Sequence, residues 1–247
     1  MKLLRTAALL PIALALAACG GEADDAAAGP PTGEPIAAIP APQGTQSWLE
    51  VASETPEGGF VVGNPDAPLK LVEYASHTCG ACANFAAEGA PELDEYVETG
   101  VVSYEIRNLI RDPLDLTIAM AARCGSAEGF HPLALQAWGS LNTFFENASQ
   151  QGAAMQSAMQ LPEDRRFVEI ANLAGLPEFF AARGISADQL NQCLANSEQA
   201  NAILERSTQQ AEELEIQGTP TFLLNGRNLD ANQWPGLEPI LQNAGAR

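Results

Sequence analysis

Positive charge is what this chain has least of: 12 Lys and Arg stand against 31 Asp and Glu, for a net charge of -19. A surface of that sign repels nucleic acid and anionic membrane, so no partner of either kind is expected to be held through charge. Histidine is scarce too, with only His77 and His131. A structural zinc needs four close-set ligands, and beyond Cys79 and Cys82 the cysteines (Cys19, Cys124, Cys193) are isolated from one another. No metal is therefore expected, and nothing in the chain requires flavin, nicotinamide or another cofactor. Long apolar runs are also lacking. The one at the start, Ala7 to Ala18, is broken by Pro11 and too short to span a bilayer comfortably.

What is present begins with that run. Lys2 and Arg5 lead it, and it stops at Leu16-Ala17-Ala18-Cys19, so residues 1–18 read as an export signal. The last four residues resemble a bacterial lipobox, which implies cleavage before Cys19 and acyl chains upon it. Ordinary cleavage near Ala18 is the alternative. Either route leads to a compartment where disulfides persist. Residues 19–47 are dominated by Ala, Gly, Pro and acids without any apolar period, the composition of a disordered, lipid-anchored tether.

The chemistry is concentrated between Leu69 and Phe85. Leu69-Lys70-Leu71-Val72-Glu73-Tyr74 is an apolar run suited to a buried strand, and it delivers the chain to Cys79-Gly80-Ala81-Cys82 at the start of a helix. Thiols three residues apart on a first helical turn can meet, close a disulfide and open it again. The free N–H groups and positive dipole end of the helix favour a thiolate at Cys79, while Cys82 lies a turn further in. Taken alone, the pair also looks like half of a zinc site. A second stretch, Gly218-Thr219-Pro220-Thr221-Phe222-Leu223-Leu224-Asn225-Gly226, sets a proline at the head of a β-rich run that ends in a hairpin signal. By itself Pro220 could also be a strand-starting proline in trans.

Together the two stretches resemble the thioredoxin superfamily, and more closely the DsbA-like thiol-disulfide oxidoreductases of the bacterial envelope. The resemblance runs from about residue 58 to about residue 245. It implies an α/β fold: a thioredoxin fold, with a mixed central sheet flanked by helices, carrying an inserted all-helical subdomain. On this chain the halves are residues 48–112 and 216–247, with the helix from Cys79 expected to bend or break near Gly89 to Pro91, and the helical insertion and linking helix at residues 113–215. Asp112-Pro113 is a good N-cap and first helical position, and the candidate helices after it are Leu114 to Cys124, Pro132 to Phe145, Glu163 to Ala174, Pro177 to Arg183, Ala187 to Ala195 and Ser197 to Glu215. The resemblance further implies Cys79 as nucleophile, Cys82 as resolving thiol, and Thr219-Pro220 as a cis peptide beside them that meets substrate. The dipeptide Gly80-Ala81 departs from the Pro-His of the strongly oxidising members, so strong oxidising power is not implied.

Four other residues bear on the chemistry. Glu73 sits in a strand expected to be buried, where its pKa should rise. The superfamily keeps an acid at this offset, which implies a proton acceptor and donor for Cys82. His77, two residues before Cys79, is either an imidazolium that stabilises the thiolate or touches substrate, or an exposed loop residue of no consequence. Cys124 and Cys193 fall on helices of one block, and in an oxidising compartment such a pair is more often bridged than free. Some relatives carry a second bond, and a structural Cys124–Cys193 disulfide is expected; two buried thiols are the alternative. The expected activity is disulfide exchange with cysteines of exported proteins, first as an oxidase. An isomerase or reductase, or a thiol-based binder or metallochaperone, remains open. A monomer on the periplasmic side of the envelope, joined to the membrane only by its lipid and recharged by a membrane redox partner, completes the expectation.

Overall fold

The computed structural model describes residues 33–247. The expected export signal, Cys19 and the tether as far as residue 32 lie outside the described residues. Strands β1 (Ala52–Glu54), β2 (Phe60–Gly63), β3 (Leu69–Ala75), β4 (Val102–Asn108), β5 (Thr221–Leu224) and β6 (Arg227–Asn228) form one sheet in the order β1-β2-β4-β3-β5-β6. Only β3 and β4 run parallel; the other neighbours are antiparallel. β3 is central because both of its faces are apolar. Leu69, Leu71 and Ala75 enter the main core, while Val72 and Tyr74 pack with Leu223 and Ile216 on the other side. Glu73 shares the side of Leu71 and Ala75, so strand alternation alone sends its carboxyl into the core.

Helices α1 (Gly80–Glu88) and α2 (Ala90–Glu98) make the crossover that a parallel β3–β4 pair requires. They are two helices because of Gly89 and Pro91. A Cβ at position 89 would lie 2.6 Å from Cε2 of Phe85, so α1 turns into α2 over a contact only glycine allows. Between β4 and β5 the chain runs through α3 (Pro113–Ala122), α4 (Ala127–Gly139), α5 (Leu141–Gln150), α6 (Gly152–Ala158), α7 (Glu163–Ala174), α8 (Leu176–Ala181), α9 (Ala187–Leu194) and α10 (Ser197–Glu213). Asp112 caps α3, accepting the Asp115 N–H at 2.9 Å, and Pro113 takes the first position, where no N–H is needed. Every residue of α3 from Leu114 to Ala122 is buried, so this helix is the axis of the insertion. A disulfide joins Cys124, just beyond α3, to Cys193 in α9. Helix α11 (Trp234–Asn243) closes the chain over α1 and α2, with Leu237 and Leu241 fully buried. This mixed sheet with an all-helical insertion is the architecture the two sequence stretches imply.

Three local expectations are corrected. Pro132 does not open a helix: Ser126 caps α4 by accepting the Gly129 N–H, and Pro132 lies inside it. Helix α6 has no counterpart in the sequence reading, because Gly152-Ala153-Ala154 carries little amphipathic pattern; burial of Ala158 on the insertion stabilises it. The tether expected to reach residue 47 is not free over its last part. Ile36 N–H donates to Gly245 O at 2.9 Å, Ile39 N–H to Thr99 O at 2.8 Å, and Trp48 Nε1 to Ile39 O at 2.7 Å. Residues 33–47 are thus held to the ends of α2 and α11 through the backbone of Ile36 and Ile39.

Candidate active site

Cys79 is the N-cap of α1, and this position gives its sulfur a ready hydrogen bond. The Cys82 N–H donates to Cys79 Sγ at 3.3 Å, the bond a serine or aspartate would take at a helix start. Both cysteines are unbridged thiols, 3% and 0% exposed. Their acidities diverge. The hydrogen bond from the Cys82 thiol, helped by the N–H groups of Cys82 and Ala81, holds Cys79 down to about 5 against an opposing effect of burial. Burial pushes Cys82 far above the ordinary thiol range, with its bond to Cys79 and the nearby Glu73 acting the same way. The acidity of Cys79 therefore needs no histidine in the dipeptide: local N–H and S–H donors do what Gly80 and Ala81 have no side chains to do.

The peptide before Pro220 is cis, and it brings Thr219 against the sulfur: Cys79 Sγ donates to Thr219 O at 3.2 Å across 140 positions of sequence. Thr219 Oγ1 is buried without a hydrogen-bond partner, and the Thr219 N–H is unpaired among the described residues. A cleft of about 330 Å³ opens alongside, lined by Gly218 to Thr221 and by Leu229 to Asn232.

Beneath the cysteines, Glu73 is 0% exposed. Burial raises its pKa to about 8; the hydroxyl that Tyr104 donates to Oε2 opposes the shift, and the charge on Cys79 adds to it. Its other oxygen, Oε1, has no protein partner. Tyr104 comes from β4, so the acid is held by the strand paired with its own.

His77 is not the exposed loop residue that the sequence also allowed. It is 1% exposed, lies tilted against Trp138 with ring centroids 4.8 Å apart, and burial pushes its pKa down to about 3. The neutral ring supplies packing at this position, not charge. His131 is equally buried, with Nε2 2.8 Å from Phe60 O.

The loop leading to Cys79 is held by residues that no motif marked. Asp115 Oδ2 accepts the Ser76 hydroxyl at 2.6 Å and the Arg111 N–H at 2.9 Å, while Oδ1 accepts the His77 N–H at 2.7 Å. Asp112 accepts the Thr78 hydroxyl at 2.6 Å, and Trp138 Nε1 donates to Ser76 O at 2.8 Å. The insertion thereby grips all three residues before the nucleophile. Asp112 was legible as a cap; nothing in the sequence distinguishes Asp115 from the other acids. Burial raises the Asp115 pKa to about 7, and the Ser76 hydroxyl is the first of the donors that lower it. Ser76→Ala is accordingly expected to raise that pKa further and to destabilise the fold by about 1–3 kcal/mol at pH 8, and by less at pH 5 where the carboxyl is neutral. Urea unfolding at the two pH values measures it; an equal loss at both would show that Ser76 does not support the charged form.

Similarity to known proteins agrees with this geometry. The sequence pattern described as Thioredoxin matches residues 55–243. A Rickettsia prowazekii protein, named provisionally as a protein-disulfide oxidoreductase, is 29% identical over 186 residues, covering 72% of this chain and 58% of that protein. A Rickettsia conorii protein with the same provisional name is 25% identical and matches 57% of its own length, so the chain spans little more than half of these relatives. Among solved structures, a protein-disulfide isomerase from Novosphingobium aromaticivorans superposes with a TM-score of 0.69 at 29% identity, covering 73% of this chain and 94% of the other. Wolbachia pipientis alpha-DsbA1, at 20% identity and a TM-score of 0.63, shares the fold over 81% of this chain and 96% of its own. With its family pattern spanning most of the described residues, and with an acidic capping thiol set against a cis-proline turn, the chain belongs to the thioredoxin family.

Proposed function

We propose that this protein is a thiol-disulfide oxidoreductase that exchanges a Cys79–Cys82 disulfide with cysteines of exported proteins, running mainly as an oxidase. The observation that carries the proposal is geometric: Cys79 caps the helix that holds Cys82 one turn further in, its sulfur accepts the Cys82 N–H at 3.3 Å, and it lies 3.2 Å from Thr219 O beside the cis peptide of Pro220; the split in acidity between the two sulfurs follows from that placement. In the forward reaction a substrate thiolate attacks Cys79 Sγ of the enzyme disulfide. The substrate–Cys79 bond forms, the Cys79–Cys82 bond breaks, and Cys82 leaves as a thiolate that takes a proton from Glu73. A second substrate thiolate then attacks the substrate sulfur of the mixed disulfide, and Cys79 departs with the electron pair. Its low pKa makes it a good leaving group and stabilises the reduced enzyme, which favours oxidation of the substrate. The unpaired Thr219 N–H offers an extended substrate a main-chain partner next to the sulfur.

Turnover then needs a disulfide-bearing or quinone-linked partner to reoxidise the dithiol. The Lys2/Arg5 leader and the Leu16–Cys19 tetrapeptide support a periplasmic location with an acyl anchor on Cys19, and the chain is read as a monomer there. Disulfide isomerisation is the second reading, favoured by the similarity to the Novosphingobium isomerase. Reduced, cysteine-rich client protein separates the possibilities. Offered the same client in its disulfide-bonded form, Cys79 of Cys82→Ser is expected to displace one client sulfur as a thiolate and stay joined to the other as a mixed disulfide, and Cys79→Ser to form none. Client oxidation persisting in Cys79→Ser would overturn the proposal, while a reduction potential as low as that of thioredoxin would reverse its direction.

A further inference from the structure

The cleft beside the cis-proline turn has one wall that the exchange chemistry does not explain. Leu229, Asp230, Ala231 and Asn232 line it together with Thr219 and Pro220. That wall is fixed at both ends. The Leu229 N–H donates to Phe222 O at 2.8 Å, tying it to β5, and Gln233 Nε2 donates to Ala81 O at 3.1 Å, tying it to the dipeptide between the two cysteines. Its position relative to Cys79 is therefore set by the catalytic helix itself. Asp230 is the only charged residue lining the cleft, and no cation lines it. Its side chain is exposed and makes no hydrogen bond or ion pair among the described residues, so the carboxylate is available to a ligand.

An extended substrate that pairs with Thr219 and brings its cysteine to Cys79 must send neighbouring side chains along the cleft walls, because successive residues of a strand point to opposite sides. We infer that Asp230 selects clients carrying Lys or Arg next to the reactive cysteine, so that the substrate class is cysteine-containing segments of positive local charge. The inference rests on the oxidoreductase reading, since it describes what lies beside the cysteine in that reaction. The net charge of -19 acts in the same sense at longer range, steering cationic segments toward the molecule. Asp230 adds a local choice to that general attraction, since it alone carries charge on the cleft wall.

The test uses oxidised full-length protein and three single-cysteine peptides, identical except for Lys, Ala or Glu on the residues flanking the cysteine. The rate of mixed-disulfide formation at Cys79 is measured for each peptide in the parent, Asp230→Asn and Asp230→Lys, at low and high salt. Because a flanking charge also alters the peptide's own thiol, the readout is the Lys-to-Glu rate ratio compared between protein variants, in which that effect cancels. The ratio is expected to fall roughly three- to fivefold in Asp230→Asn, the range of one solvent-exposed ion pair, and further in Asp230→Lys. It should also shrink in the parent as salt rises. A ratio that is the same in all three proteins would overturn the inference while leaving disulfide exchange at Cys79 intact. If no peptide, whatever its charge, formed a mixed disulfide, the oxidoreductase reading would fail and this inference with it.

Discussion

Glu73→Gln is expected to flatten the pH dependence of stability while slowing disulfide exchange. The carboxyl titrates near pH 8 in the fold, against an ordinary value of 4.5. An acid raised in this way is charged more easily in the unfolded chain than in the folded one. Stability is therefore intact below the unfolded value, declines as pH climbs past it, and reaches its full loss above pH 8. At about 1.4 kcal/mol per pH unit, the cost of ionising Glu73 in place is on the order of 3–5 kcal/mol. Glutamine abolishes that titration. It also leaves an amide N–H where Oε1 already lacks a partner, a loss of about 1–3 kcal/mol that is present at every pH. Unfolding free energies at pH 5 and pH 9 should thus differ by several kcal/mol less in the variant. Asp115, whose pKa is also raised, accounts for part of what remains.

The rate should move the other way. Near pH 7 Glu73 is mostly protonated and lies where Cys82 must pick up a proton as it leaves. Removing a positioned acid of this kind is expected to slow mixed-disulfide formation roughly 10- to 100-fold, the lower part of the range for general acid catalysis. The parent's advantage should fade above pH 8, where its own acid is spent. A variant that gains alkaline stability yet exchanges at the parental rate from pH 6 to 8 would leave Glu73 a buried charge without a role.

The double variant Cys124→Ala/Cys193→Ala is expected to lose about 4 kcal/mol of stability by the chain-entropy account, since the bond closes a loop spanning 69 positions. For a domain of this size the melting temperature should fall on the order of 10 °C. Exchange at Cys79 should survive at low temperature, because the bond joins α3 to α9 inside the insertion and touches neither active cysteine. Thermal unfolding of the oxidised parent and the variant checks the first point, and a client assay at 15 °C the second. A loss of exchange without a drop in melting temperature would mean that the insertion transmits more to the site than stability.

How much of this was legible beforehand can be judged from particular residues. The Cys79–Cys82 pair, the break at Gly89, the Asp112-Pro113 cap and the Pro220 turn are local signals. Spacing, missing N–H groups and helix ends act within a few residues, so their consequences can be read wherever they occur. Burial of Glu73 was legible for the same reason, because alternation along β3 puts it on the face of Leu71. The burial of His77 was not legible because one residue in a loop carries no period, and only the arrival of Trp138 from α4 makes that loop an interior. The segment from residue 33 to 47 was misread because composition reports whether a stretch can fold by itself, not whether Thr99 and Gly245 will pair with its backbone.

The amino-acid order by itself thus determined most of the elements, the two sulfurs, the proline turn and the sign of the surface charge. What the folded chain alone decided were the encounters: Tyr104 with Glu73, Asp115 with Ser76 and His77, Thr219 with Cys79, and the Leu229–Asn232 wall with the cleft. The reason is physical. Acidity and binding at the site depend on which groups desolvate and hydrogen-bond one another across 31 to 140 positions of sequence, and no local rule carries over such separations.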